Sequence, residues 1–168
     1  MIAEVFWIKE KYPGRIALVL RPRGGEWLED EAKAWSEAEI DVVVSMLEPE
    51  EVANFDLERE AEFCAENNIE FVSCPVPDRG VPQMDESFFQ LIDQLKKTLA
   101  SGKSIAIHCR QSVGRAPLMA AALMISFGMN SDEAFEKLSF VRGVEVPETD
   151  EQKKWAEIFA KESAGVSA

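Results

Sequence analysis

The stretch Ser104-Ile-Ala-Ile-His-Cys-Arg-Gln-Ser-Val-Gly-Arg115, continued by Ala116-Pro-Leu-Met-Ala-Ala-Ala-Leu-Met-Ile-Ser-Phe127, decides how the chain is read. Ser104–His108 is a short apolar run rich in β-branched residues, the pattern of a buried strand. Gly114–Phe127 is apolar almost all round, as a helix packed against a sheet should be. Between them lies a short polar loop. In an open α/β sheet the carboxyl end of a strand running into a helix N-terminus is where anions bind. Cys109 opens this loop and Arg115 closes it, with five residues between. A loop of that length can turn the backbone N–H groups of Arg110, Gln111, Ser112, Val113, Gly114 and Arg115 toward one oxyanion, while the guanidinium grips two oxygens. The same positive surroundings favour the Cys109 thiolate. A thiolate beside a phosphate cradle is a nucleophile for phosphoryl transfer.

The flanking sequence supplies a scaffold for such a loop. Further strand patterns occupy Glu4–Ile8, Ile16–Leu20, Asp41–Met46 and Phe71–Val76. Amphipathic segments predict helices over Trp27–Glu39, Leu57–Asn67, Asp85–Ala100, Asn130–Val141 and Thr149–Ala160. Thr149 and Gln152 form a capping-box pattern at the start of the last. Strands alternating with helices, without repeats or linkers, predict one α/β domain over residues 1–168, with a mainly parallel central sheet flanked by helices.

Composition narrows the function classes. The 168 residues are 46% hydrophobic and 29% charged, and 31 acidic side chains against 18 basic ones give a net charge of −13. That balance opposes binding to nucleic acid or to an anionic membrane. The acid is unevenly spread: Gln94–Ser131 contains no carboxylate, yet holds Lys96, Lys97, Lys103, Arg110 and Arg115. The three cysteines, Cys64, Cys74 and Cys109, form no CxxC pair, and His108 is the sole histidine, so the residues suggest neither a zinc site nor a histidine triad. With no secretory signal pattern, a reducing cytoplasm is the expected location.

His108-Cys109-(five residues)-Arg115 resembles the HCx5R signature of the cysteine-dependent protein tyrosine phosphatases, and the short chain resembles their small dual-specificity branch. In that family the signature loop joins a buried strand to a helix, and an upstream mobile loop carries an acidic residue. Pro77-Asp78-Arg-Gly-Val-Pro82 stands in that order here. The resemblance implies Cys109 as nucleophile, Asp78 as general acid and then base, Arg115 and the loop amides as phosphate ligands, and His108 as a support for the loop. It implies no metal and no cofactor, and phosphotyrosine proteins as substrates, with phosphoserine and phosphothreonine proteins beside them. Two positions depart from the family pattern. Ser112 stands where glycine is usual and where a positive φ is expected, which costs a serine about 1 kcal/mol. Ala116 stands where relatives place a hydroxyl on the cysteine sulfur. A phosphoprotein-binding module with little turnover stays open on that ground, and so does sulfur transfer or arsenate reduction. Arg21-Pro-Arg-Gly-Gly25, Arg79 and Gln111 read either as pocket rim or as solvated turns, and Cys74 is a candidate resolving thiol.

Overall fold

The computed structural model describes residues 2–166. Five strands, β1 (Val5–Trp7), β2 (Ile16–Val19), β3 (Val42–Ser45), β4 (Glu70–Ser73) and β5 (Ile105–His108), form one sheet in the order β1-β2-β5-β3-β4. All five expected strands are present, four of them trimmed at one or both ends, while β4 starts one residue early, at Glu70, and ends at Ser73. The neighbours β2/β5, β5/β3 and β3/β4 are parallel, and β1 pairs antiparallel to β2 at the edge. Every residue of β2, β3 and β5 is buried. Strands covered on both faces have no polar side to show, so they read as unbroken apolar runs.

A 3-10 turn (Gly25–Trp27) leads into α1 (Leu28–Glu37), followed by α2 (Pro49–Asn54), α3 (Glu60–Glu66), α4 (Glu86–Ala100), α5 (Arg115–Ser126), α6 (Ser131–Arg142) and α7 (Asp150–Val166). α5 lies against the sheet with each residue from Arg115 to Ile125 buried, and α4, α6 and α7 pack around it. On the other sheet face, Trp35 of α1 and Cys64 of α3 cover Ala17, Val43 and Ala106. Side-chain caps set several starts: Asp85 accepts from the Phe88 N–H at 2.9 Å, and Asn130 accepts from the Glu133 N–H at 2.8 Å. The Thr149/Gln152 capping box is formed, each side chain bonding the other residue's backbone N–H.

Three helices differ from the sequence reading, α7 by running on past the expected end at Ala160 to Val166. α3 begins at Glu60 rather than Leu57, because Asp56 turns into the left-handed region (φ 56°) and Leu57 drops into a small core with Leu28 and Phe63. α2 was not anticipated, since six residues are too few to show a helical period. Its signal is local: Pro49 occupies the first turn, and the Glu48 N–H bonds the Glu51 carboxylate at 3.1 Å.

Four parallel strands end on one edge of the sheet, so the segments after β2, β3, β4 and β5 gather there. They carry Arg21, Glu51, Asp78 and Cys109, respectively.

Candidate active site

Cys109 follows β5, the middle strand, and is 3% exposed at a cavity of about 200 Å³. Asp78, Arg79, Arg110, Gln111, Gly114 and Glu148 line the same cavity. Its size admits a phosphoryl group and little more; cavities that take whole cofactors run to roughly 300–1,000 Å³. A larger cleft of about 920 Å³ lies between α6 and the start of α7, lined by acids such as Asp132, Glu136 and Glu145, with no cysteine, histidine or arginine in its wall.

The phosphate-type loop is held from outside. Arg142 of α6 donates to the Ser112 carbonyl at 3.1 Å and to the Gln111 carbonyl at 3.2 Å. In a trans peptide the C=O and the following N–H point opposite ways, so fixing these carbonyls turns the N–H groups of Ser112 and Val113 away from Arg142. Ser112 has φ 57°, the positive value its position foretold, and its hydroxyl donates to the Val19 carbonyl. That bond offsets the strain. Ser112→Gly should therefore change the unfolding free energy by less than about 1 kcal/mol, relieved backbone strain cancelling a lost hydrogen bond. Chemical denaturation checks this, and a loss of about 2 kcal/mol or more would mean that the hydroxyl dominates. Gly114 is needed for a different reason: a Cβ there would lie 2.6 Å from Glu148 Oε1 and 2.9 Å from Gln152 Nε2, where the start of α7 presses on the loop.

Arg115 is buried, yet every hydrogen bond it makes is to oxygen. Nη1 donates to Glu51 Oε1 at 2.7 Å, to the Val76 carbonyl at 2.8 Å and to the Met46 carbonyl at 3.3 Å. Nη2 donates to Glu51 Oε2 at 2.9 Å and to Asp78 Oδ1 at 3.2 Å. Burial by itself would lower its pKa, but the Glu51 bond and the neighbouring Cys109, Glu51 and Asp78 charges outweigh it and hold the guanidinium above its ordinary value. Sequence reasoning missed Glu51 as the bidentate partner. The two lie 64 positions apart, and a chain position does not announce a salt bridge.

Asp78 stands at the rim, with Oδ2 3.6 Å from Arg110 Nη1. Its loop is less free than the family resemblance implied. Gln152 Nε2 donates to the Gly80 carbonyl at 3.1 Å, Trp155 Nε1 donates to the Pro82 carbonyl at 2.8 Å, and Arg79 pairs with Glu148 at 3.3 Å. All three partners belong to α7 or the turn before it.

His108 is fully buried, with Nδ1 3.4 Å from the Cys109 carbonyl and Nε2 2.6 Å from Glu60 Oε2, itself 2% exposed. The carboxylate-free stretch of sequence is thus not carboxylate-free in space, since Glu51, Glu60, Asp78 and Glu148 all reach the loop from outside it. Cys74 lines a separate cleft with Asp85 and Phe88, and burial, then the Asp85 charge, push its thiol up. Cys64 is pushed up to about 12 by burial and by Glu60. Among the described residues, no three His, Cys, Asp or Glu side chains group to hold a metal ion.

A buried thiol at a phosphate-sized cavity, on a loop whose carbonyls are held from outside and which ends in a buried arginine, is the arrangement of a cysteine-based phosphatase. Comparison with known proteins agrees. Residues 29–159 match the family model described as the dual specificity phosphatase catalytic domain. The chain belongs to the dual specificity phosphatase family. Cyclin-dependent kinase inhibitor 3 of Rattus norvegicus is 30% identical over 87 residues, 51% of this chain and 41% of that protein, so the match spans under half of that relative's length. Solved structures share the fold. Kinase associated phosphatase, with its catalytic cysteine replaced by serine, superposes with a TM-score of 0.88 at 17% identity, covering 98% of this chain and 97% of that one. Tk-PTP in its active form gives 0.77 at 23%, covering 96% and 99%. PTPMT1 in complex with PI(5)P gives 0.76 at 19%, covering 91% and 94%. Among the described residues, no helix is long and apolar enough to cross a membrane.

Proposed function

We propose that residues 1–168 act as one catalytic unit that hydrolyses phosphotyrosine in proteins, and phosphoserine and phosphothreonine beside it, in the cytoplasm. The observation that carries this reading is the juxtaposition of Cys109 and Asp78 across one small cavity, with Arg115 bonded to Asp78. The Cys109 thiolate attacks phosphorus in line: the S–P bond forms, the P–O ester bond breaks, and Asp78 protonates the leaving oxygen. Asp78 then takes a proton from water as that water attacks the phosphorus, and the S–P bond breaks to release phosphate and restore the thiolate. The developing charge falls on Arg115 and on the amides of Arg110, Gln111, Ser112, Val113 and Gly114, so this route asks for no metal or cofactor. A phosphate in the loop competes with Asp78 for Arg115, which frees the carboxyl group for the leaving oxygen.

The test is hydrolysis of para-nitrophenyl phosphate in excess EDTA, with Cys109→Ser and Asp78→Ala as controls. Turnover in the parent, lost in Cys109→Ser, supports the reading. Phosphopeptide binding with no turnover in the parent would make the chain a binding module instead.

Ala116 shapes the second half-reaction. Its backbone N–H approaches Cys109 Sγ at 3.4 Å, but its side chain offers the sulfur no further donor. Phosphoryl transfer to Cys109 should outrun breakdown of the intermediate, and rapid quench should show a burst followed by a slow steady state. Ala116→Ser should raise the steady-state rate by about one to two orders of magnitude, from roughly 1.5–3 kcal/mol for a charge-assisted hydrogen bond to the departing thiolate. Absence of a burst, together with unchanged turnover in Ala116→Ser, would refute this.

A further inference from the structure

Asp78 sits in a turn whose backbone is strained. The Gly80 N–H bonds the Pro77 carbonyl at 2.7 Å, closing the turn, and Arg79 at its second corner has φ 61°. A left-handed corner suits glycine and strains a residue that carries a Cβ. The turn is also tight, since a Cβ on Gly80 would lie 2.8 Å from the Pro77 oxygen. Strained backbone persists only where the surrounding structure over-determines it.

Here the restraint comes from one helix. Gln152 of α7 is fully buried and donates to the Gly80 carbonyl at 3.1 Å. Two residues further along the loop, the Trp155 indole N–H donates to the Pro82 carbonyl at 2.8 Å. Val81, between these two anchored carbonyls, packs against the main core. Trp155 is itself fixed: it is 5% exposed, stacks on Phe159 at 5.3 Å and meets Phe88 edge-on at 5.6 Å. A ring wedged in this way cannot follow a moving loop, so its N–H points at one place. A carboxyl group that must meet a leaving oxygen gains from such fixity, because the rate of a positioned reaction falls steeply with misplacement.

We propose that Trp155 is a positioning residue for the general acid: its N–H, with Gln152 beside it, clamps the acid turn so that Asp78 stands at the catalytic cavity before substrate arrives. Only the Asp78 side chain then has to turn. This role rests on the phosphatase reading above and deepens it, since it makes the acid turn preset where the family resemblance implies a mobile loop.

Trp155→Phe keeps an aromatic ring beside Phe88 and Phe159 and removes the donor. Trp155 replaced by benzothienylalanine, in which sulfur stands where the indole N–H was, removes it without loss of volume should the phenylalanine variant fold poorly. Both are compared with the parent on phenyl phosphate, whose leaving phenolate needs a proton, and on para-nitrophenyl phosphate, whose leaving group needs it far less. The quantity read is kcat/KM, which reports the steps up to release of the phenol and not the slower breakdown of the intermediate. Each variant should lose about tenfold more on phenyl phosphate than on para-nitrophenyl phosphate, within the range of general acid catalysis. In an Asp78→Ala background the same change should cost nothing further, since a residue that acts through Asp78 has no lever once that carboxyl group is gone. Equal losses on both esters, a loss that persists in the Asp78→Ala background, or no loss on phenyl phosphate in either variant would overturn the proposal. Should the parent hydrolyse neither ester, or Asp78→Ala lose equally on both, the mechanism above falls instead. Amide hydrogen exchange at Gly80, expected to quicken about tenfold without the Trp155 donor, would then still decide whether α7 holds the turn.

Discussion

Glu60→Ala should lower the free energy of unfolding by about 1–3 kcal/mol, the usual cost of leaving one buried hydrogen-bonding partner unsatisfied. Glu60 Oε2 and His108 Nε2 lie 2.6 Å apart, and neither residue is more than 2% exposed. Alanine would leave the imidazole facing apolar side chains, with Trp35 stacked against it at 6.0 Å. The penalty is the desolvation of an orphaned polar group, so removing both partners should cost much less than removing one. Glu60→Leu combined with His108→Phe is therefore expected to recover most of the stability lost in Glu60→Leu alone. Urea denaturation with an unchanged m-value measures both. A cost under about 1 kcal/mol for Glu60→Ala would mean that the pair is not holding this region together. Because His108 is the only histidine, its side-chain nitrogen resonances are unambiguous, and they should change in Glu60→Gln even where stability is kept. Cys109 follows His108 directly, so the recovered double variant also tells whether the pair serves the loop as well as the fold.

Glu51→Ala should reduce kcat/KM by about 10²-fold, the scale expected when a catalytic group drifts by about 1 Å. Glu51 receives both Nη atoms of Arg115, and only main-chain carbonyls and Asp78 would then hold the guanidinium. Asp78 would be drawn further onto Arg115 and away from a leaving group. Glu51→Gln keeps one acceptor and should fall between parent and alanine variant. Activity within twofold of the parent in Glu51→Ala would show that the carbonyls suffice. A pH signature accompanies this pair. Burial pushes Glu51 up, but the Arg115 bond, the Glu48 N–H and the Arg115 and Arg110 charges together bring it below its ordinary value of 4.5. A carboxyl group lowered on folding stabilises the fold above its unfolded pKa and loses that contribution as pH falls through the folded value. Stability should thus decline below about pH 4.5, and Glu51→Gln should flatten that acid limb.

The loop from Cys109 to Arg115 was legible because its requirements are local. A strand must end, a helix must begin, and a cysteine and an arginine must be spaced to face one oxyanion; all of that is written within twelve consecutive residues. The strained backbone at Ser112 could be foreseen only through the family resemblance, in which glycine is usual at that point. Asp78 was legible only through the family's order of motifs. Nothing in its own neighbourhood distinguishes it from a turn residue.

Glu51, Glu60 and Arg142 were not legible. Each meets the loop from a segment 30 or more positions away. Parallel strands deliver their carboxyl ends to one edge, and that edge assembles the groups following β2, β3, β4 and β5. The charge pattern shows the same division. Along the chain, the cysteine sits in a stretch free of carboxylates; in space, four carboxylates surround it, each paired with an arginine or a histidine. By itself the sequence determined the α/β class and the strand–loop–helix unit that carries Cys109, because periodicity and turn chemistry act between near neighbours. Only the tertiary structure decided which acids hold the arginine and the histidine, because buried charges find partners by proximity in space and not by order in the chain.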